Sequence, residues 1–77
     1  MKVEIRLYAT LNKYAPRGSQ VNHIEIENGK KLKDLIKDLG IPEEQIKLIF
    51  INGIHASGDE ILKDGDRIGI FPPIAGG

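Results

Sequence analysis

The residues with the clearest chemical potential are the last two, Gly76 and Gly77, reached through Phe71-Pro72-Pro73-Ile74-Ala75. Neither glycine carries a Cβ, so the main-chain carboxylate of Gly77 can thread into a narrow channel that a side chain would block. The reach is useful too. From Phe71 to Gly77, at about 3.3 Å per residue, an extended arm spans on the order of 20 Å. Pro72-Pro73 stiffens the base of that arm and lowers the entropy lost on insertion. If the chain has a reactive atom, it is the carboxyl carbon of Gly77 rather than any side chain.

The other side chains offer little competition. The chain has no cysteine, which removes a catalytic thiol, a thiolate metal site and a disulfide framework. Any sulfur chemistry must use sulfur brought from outside. His23 and His55 stand alone, without a carboxylate or second ligand at metal-binding spacing, and read as surface histidines; no metal site is expected. No nucleophile–base pair, phosphate loop or carboxylate dyad is present. Lys30, Lys31, Lys33 and Lys37 could dock an acidic partner, but a lysine-rich helix face usually serves only solubility.

Eleven basic and eleven acidic residues give zero formal charge, which argues against a nucleic-acid surface built on positive potential. No apolar run approaches the roughly 20 residues that span a bilayer. The start, Met1-Lys2-Val3-Glu4, lacks the pattern of a signal peptide. The expectation is a cytoplasmic protein, with neither nucleic acid nor membrane as partner. A faint thermophilic flavour comes from the isoleucine, lysine and glutamate content.

These residues must be positioned by a small scaffold. Seventy-seven residues make one domain, residues 1–77, near the lower limit for a self-sufficient core, with residues 72–77 as a flexible tail. Val3, Ile5 and Leu7 alternate with Lys2, Glu4, Arg6 and Tyr8, the period of a half-buried strand. A short helical turn over Ala9 to Ala15 follows. Val21 to Glu27 is a second strand with Ile24 and Ile26 inward. Leu32, Leu35, Ile36 and Leu39 form one apolar stripe of a helix over Lys31 to Leu39, stopped by Gly40 and Pro42. The helix start is oddly basic for the positive end of a macrodipole.

Pro42 to Gln45 predicts another short turn. Leu48-Ile49-Phe50-Ile51 is a near-continuous apolar run, the pattern of a central strand covered on both faces. Asn52-Gly53 signals a two-residue hairpin into a short strand at Ile54-His55. A turn at Lys63-Asp64-Gly65-Asp66 leads to the last strand, Arg67 to Phe71, closed by Pro72-Pro73. Phe71 is either the last core residue of that strand or an anchor facing a partner. The order predicts an α+β fold, a β-grasp of ubiquitin-like architecture. A mixed sheet of four to five strands packs on one main helix, with the first and last strands as parallel central neighbours.

The whole chain resembles the MoaD and ThiS sulfur carriers, the molybdopterin synthase small subunit and the thiamine sulfur carrier. The most specific parts are Asn52-Gly53, Lys63-Asp64-Gly65-Asp66-Arg67-Ile68 and the ending Phe71-Pro72-Pro73-Ile74-Ala75-Gly76-Gly77. Pro72-Pro73 and the Ala9 to Ala15 segment look like the MoaD branch. Lys31 departs from the Thr or Ser that many relatives place at the helix start.

The resemblance implies a carrier rather than an enzyme, with no cofactor bound. An E1-like adenylyltransferase of MoeB/ThiF type would use ATP to adenylate Gly77, and a sulfur donor would convert it to a thiocarboxylate. Phe71, Pro72, Pro73, Ile74, Ala75 and Gly76 would bind partners. A MoaE-like large synthase subunit would take the loaded tail for molybdopterin synthesis. The alternatives are a ThiS-type carrier for thiazole synthesis and a ubiquitin-like modifier joined to lysines. A plain interaction module that never uses its terminus is a further possibility.

Overall fold

The computed structural model describes residues 1–16 and 18–73. β1 (Lys2–Leu7) and β2 (Val21–Glu25) pair antiparallel, with a 3₁₀ turn at Ala9–Tyr14 between them. Helix α1 (Leu32–Asp38) follows, and then a second 3₁₀ turn at Glu43–Gln45. β3 (Leu48–Ile51), β4 (Ile54–His55) and β5 (Arg67–Phe71) complete a five-stranded sheet in the order β2-β1-β5-β3-β4. The first and last strands are the parallel pair, and they lie in the middle. This is the predicted β-grasp order. None of the described helices is long and apolar enough to cross a membrane.

One face of the sheet and one face of α1 make the core. Val3, Ile5 and Leu7 of β1, Ile68 and Ile70 of β5, and Leu32, Leu35 and Ile36 of α1 are all buried. The alternation read from the sequence therefore sets which face each strand buries. Each such side chain contributes about 1.5–3 kcal/mol on leaving water. Asn22 is a buried polar residue on the inner parity of β2, and its amide donates to the Ser19 carbonyl at 2.7 Å.

Three expectations shift. β2 ends at Glu25 rather than Glu27, although Ile26 still packs on the core. α1 is two residues shorter than the stripe suggested, because Lys31 and Leu39 serve as its caps. The apolar run of β3 is not covered on both faces. Ile49 and Ile51 turn toward α1, whereas Leu48 is 39% exposed. A single helix can cover only one side.

The helix start solves its basic character from outside. Lys31 makes no side-chain cap. Instead, the Leu32 N–H donates to the Glu60 carbonyl and the Lys33 N–H to the Gly58 carbonyl, both at 2.9 Å. The Glu60 carboxylate holds that loop closed by accepting from the Ser57 and Gly58 N–H groups, each at 2.8 Å. Those bonds lower the Glu60 pKa below the ordinary carboxylate value. Lys30 pairs with Asp38 and Lys33 with Asp59, which offsets the local positive charge.

Candidate functional site

β5 delivers the tail. Ile68 and Ile70 point into the core, so Arg67, Gly69 and Phe71 share the opposite parity and the outer face. Leu48 pairs with Phe71 in the register with β3, and the Lys47 N–H donates to the Phe71 carbonyl at 2.8 Å. Pro72 has no N–H to continue the ladder, so the chain leaves the sheet there. Pro72 is half-buried and Pro73 exposed. Ile74, Ala75, Gly76 and Gly77 lie outside the described residues, and the predicted reactive carboxylate with them.

Phe71 belongs to the outer face. Its ring stacks on Tyr8 with centroids 4.2 Å apart and 4° between planes. Phe50 meets Phe71 edge-on at 5.9 Å, and His55 meets Phe50 at 5.8 Å. Gly69 lies beside the Tyr8 and Phe71 rings, in register with Arg6 on one side and Phe50 on the other. A Cβ at Gly69 would stand 3.5 Å from the Tyr8 ring, an ordinary contact, so glycine there is compatible with the stack rather than forced by it.

Around these rings lies a shallow groove of about 370 Å³, bordered by Glu4, Arg6, Asn52 and Arg67. Arg6 donates to Glu4 at 2.9 Å, and that bond together with the Glu4 charge raises its pKa. Arg6, like any arginine, is cationic, and it puts that charge beside the aromatic patch. The tail therefore leaves from a surface that is aromatic at the centre and charged at the margin, the composition of a protein-binding patch.

His23 is largely exposed, 3.7 Å from Glu4, and His55 lies on the edge strand β4. Among the described residues, no three or more histidine, cysteine, aspartate or glutamate side chains are grouped to hold a metal. Lys30 and Lys33 of the basic helix start are both in ion pairs.

Tyr8, Phe50 and Leu48 were not among the expected site residues. The signal was parity. With Ile49 and Ile51 inward on one strand and Ile68 and Ile70 inward on another, Leu48, Phe50 and Phe71 must emerge together on the far side.

The ThiS family model matches residues 5–77. No match is found among curated proteins. Among solved structures, the chain is similar to a protein assigned as molybdopterin converting factor subunit 1 from Pyrococcus furiosus. That likeness has 31% identity, covers 96% of this chain and 99% of the other, and gives a TM-score of 0.78. SAMP1 from Haloferax volcanii is similar at 25% identity over 100% of both chains, with a TM-score of 0.76. The complex of subunits 1 and 2 of molybdopterin-converting factor from Helicobacter pylori offers a further likeness, at 25% identity over 100% of both chains and a TM-score of 0.60. A family pattern running through the strands, the helix and the tail sequence alike leaves one assignment: the chain belongs to the ThiS family of ubiquitin-like sulfur carriers.

Proposed function

We propose that this chain carries sulfur on the carboxyl carbon of Gly77 and donates it as the small subunit of a molybdopterin synthase. The observation that carries the reading is the sequence Phe71-Pro72-Pro73-Ile74-Ala75-Gly76-Gly77 leaving the sheet beside the Tyr8–Phe71 stack. The likeness to the Pyrococcus furiosus protein supports the molybdopterin branch. In the proposed cycle a carboxylate oxygen of Gly77 attacks the α-phosphorus of ATP on an E1-like partner and expels pyrophosphate. Hydrosulfide supplied by the sulfur donor then adds to the acyl carbon, and AMP departs with the bonding pair, leaving the thiocarboxylate. Activation splits one difficult substitution into two easier ones.

In this reading Phe71 anchors the partner through the aromatic face, and Pro72 and Pro73 direct the arm outward. Ile74, Ala75 and Gly76 thread the partner's channel. A larger synthase subunit takes up the loaded end, a pairing supported by the likeness to the Helicobacter pylori protein, which forms a complex of subunit 1 with subunit 2. Appending one residue after Gly77 tests the chemistry. The extended chain is expected to fold normally and to accept no sulfur; thiocarboxylate formation on it would overturn the proposal.

A second reading is a protein modifier joined to lysines, favoured by the full-length likeness to SAMP1. A Gly-Gly remnant on lysines of cellular proteins marks that use. Co-purification with a large synthase subunit marks the first, and co-purification with a thiazole-forming enzyme marks the thiamine branch.

A further inference from the structure

A second concave surface lies around the sheet edge from the aromatic face. A groove of about 580 Å³ opens between α1 and the end of the β3–β4 hairpin. Its floor is Ile36 of α1, Ile41 and Ile46 of the following segment, Ile49 of β3, and Ala56. The buried core residues differ in exposure in one informative way. Ile49 (9%), Ile36 (8%), Ala56 (6%) and Ile41 (5%) are its most exposed members, the others are at 3% or below, and all four line this groove. The residual exposure of the core is gathered in one place. β4 has only two residues, so the sheet ends before it can cover that floor.

The rim is cationic. Lys33 and Lys37 lie one turn apart on α1, Lys47 precedes β3, and Glu43 is the acidic residue among those lining the groove. That is a local excess in a chain of zero formal charge. Lys33 bonds Asp59 at 3.1 Å, but both side chains are more than half exposed, so the pair is weak and readily exchanged. Lys37 and Lys47 make no ion pair among the described residues. Main-chain groups are offered as well. Ile51 pairs with Ile54 to close the hairpin, and the Ala56 N–H donates to the Ile49 carbonyl. His55 between them therefore turns its own N–H and C=O away from β3.

We propose that this groove docks an acidic peptide segment of a partner protein, with aliphatic side chains at its centre. Its aliphatic side chains cover the isoleucine floor, its flanking carboxylates meet Lys33, Lys37 and Lys47, and its backbone reaches His55. A bare anion would leave the floor wet. An uncharged apolar ligand would leave the lysines unmatched. The groove's lining includes none of Phe71, Pro72 or Pro73, and the sulfur chemistry makes no use of it, so this docking stands or falls independently of the sulfur-carrier reading.

The test uses a short synthetic peptide with two central leucines flanked by glutamates, titrated into the isotope-labelled chain and followed by backbone amide shifts. Saturable shifts are expected at Lys33, Ile36, Lys37, Ile49 and Ala56, with Arg6 and Gly69 unmoved. The double variant K37E/K47E, changed only at exposed positions, is expected to bind about tenfold more weakly. Added salt should weaken binding to the unmodified chain as well, a second reading that does not depend on any variant folding. The proposal is overturned by absent groove shifts, by salt-insensitive binding, by unchanged binding to a folded double variant, or by equal binding of a peptide with lysines in place of the glutamates. Groove shifts that grow with protein concentration without peptide would assign the surface to a second copy of the chain, and so overturn it too.

Discussion

Phe71 closes its strand with its ring outside the core, flat against Tyr8. An aromatic pair of this kind contributes about 0.5–1.5 kcal/mol beyond its burial, a modest term for the fold. Phe71→Ala is therefore expected to lower stability by about 1–2 kcal/mol in denaturant unfolding. If the proposed partners dock on this face, the same change should weaken association with them by at least about tenfold, as loss of a central aromatic anchor does. Glu60 supplies a different residue-scale prediction. Its folded pKa lies below the ordinary carboxylate value because the Ser57 and Gly58 N–H groups bond its charged form. Its stabilising effect is complete above the unfolded-state pKa and disappears as pH falls through the depressed folded value. Glu60→Gln should flatten the acid limb of a stability–pH curve, and an unchanged limb would show that the loop bonds do not act as described. Of the residue roles, the outward direction of Tyr8 was legible from alternation. The Glu60 cap was not, because it depends on a loop about thirty residues beyond the helix it caps.

At the scale of elements, the β3–β4 hairpin is where local chemistry and structure agree most closely. Asn52 and Gly53 have φ of 53° and 82°, the left-handed pair that a tight two-residue turn requires. Asn52 also ties the hairpin to the next turn. Its amide donates to Asp66 at 2.9 Å, and its side-chain oxygen accepts from the Arg67 N–H at 3.0 Å. Gly53→Ala is expected to cost about 1–2 kcal/mol through the strained backbone. Asn52→Ala should cost about 1–3 kcal/mol, since two bonds and a turn preference go together. Thermal or denaturant unfolding checks both. The hairpin was legible because its two residues carry their own conformational demand. The ends of β2 and α1 were less so, since apolar periodicity continues one or two residues past the last ladder or helical bond. β3 misled for another reason. Four apolar residues in a row do not reveal whether a second layer covers them.

For the whole molecule, the parallel β1–β5 pair is the structural centre, with Ile5, Leu7, Ile68 and Ile70 essentially inaccessible. Leu7→Ala is expected to cost about 2–5 kcal/mol, a large part of the roughly 5–15 kcal/mol that holds an ordinary domain folded. Urea unfolding should place this variant near the edge of stability, well below Phe71→Ala. The β-grasp order was legible because strand–strand–helix–strand–strand–strand leaves few ways to cover one helix with one sheet. What the sheet's free face would carry was not, since it arises only when Phe50 of β3, Phe71 of β5 and Tyr8, just past the end of β1, meet. The described chain leaves the sheet at Pro72 beside this aromatic patch, and the central claim is that the carboxyl carbon of Gly77 carries sulfur. Intact-mass measurement after incubation with a cognate E1-like enzyme, ATP and a sulfur donor tests this most directly. The account predicts replacement of one oxygen by sulfur, located by fragmentation at Gly77 and dependent on ATP. An unchanged mass with an activator that loads its own carrier, or sulfur found anywhere but Gly77, would contradict it.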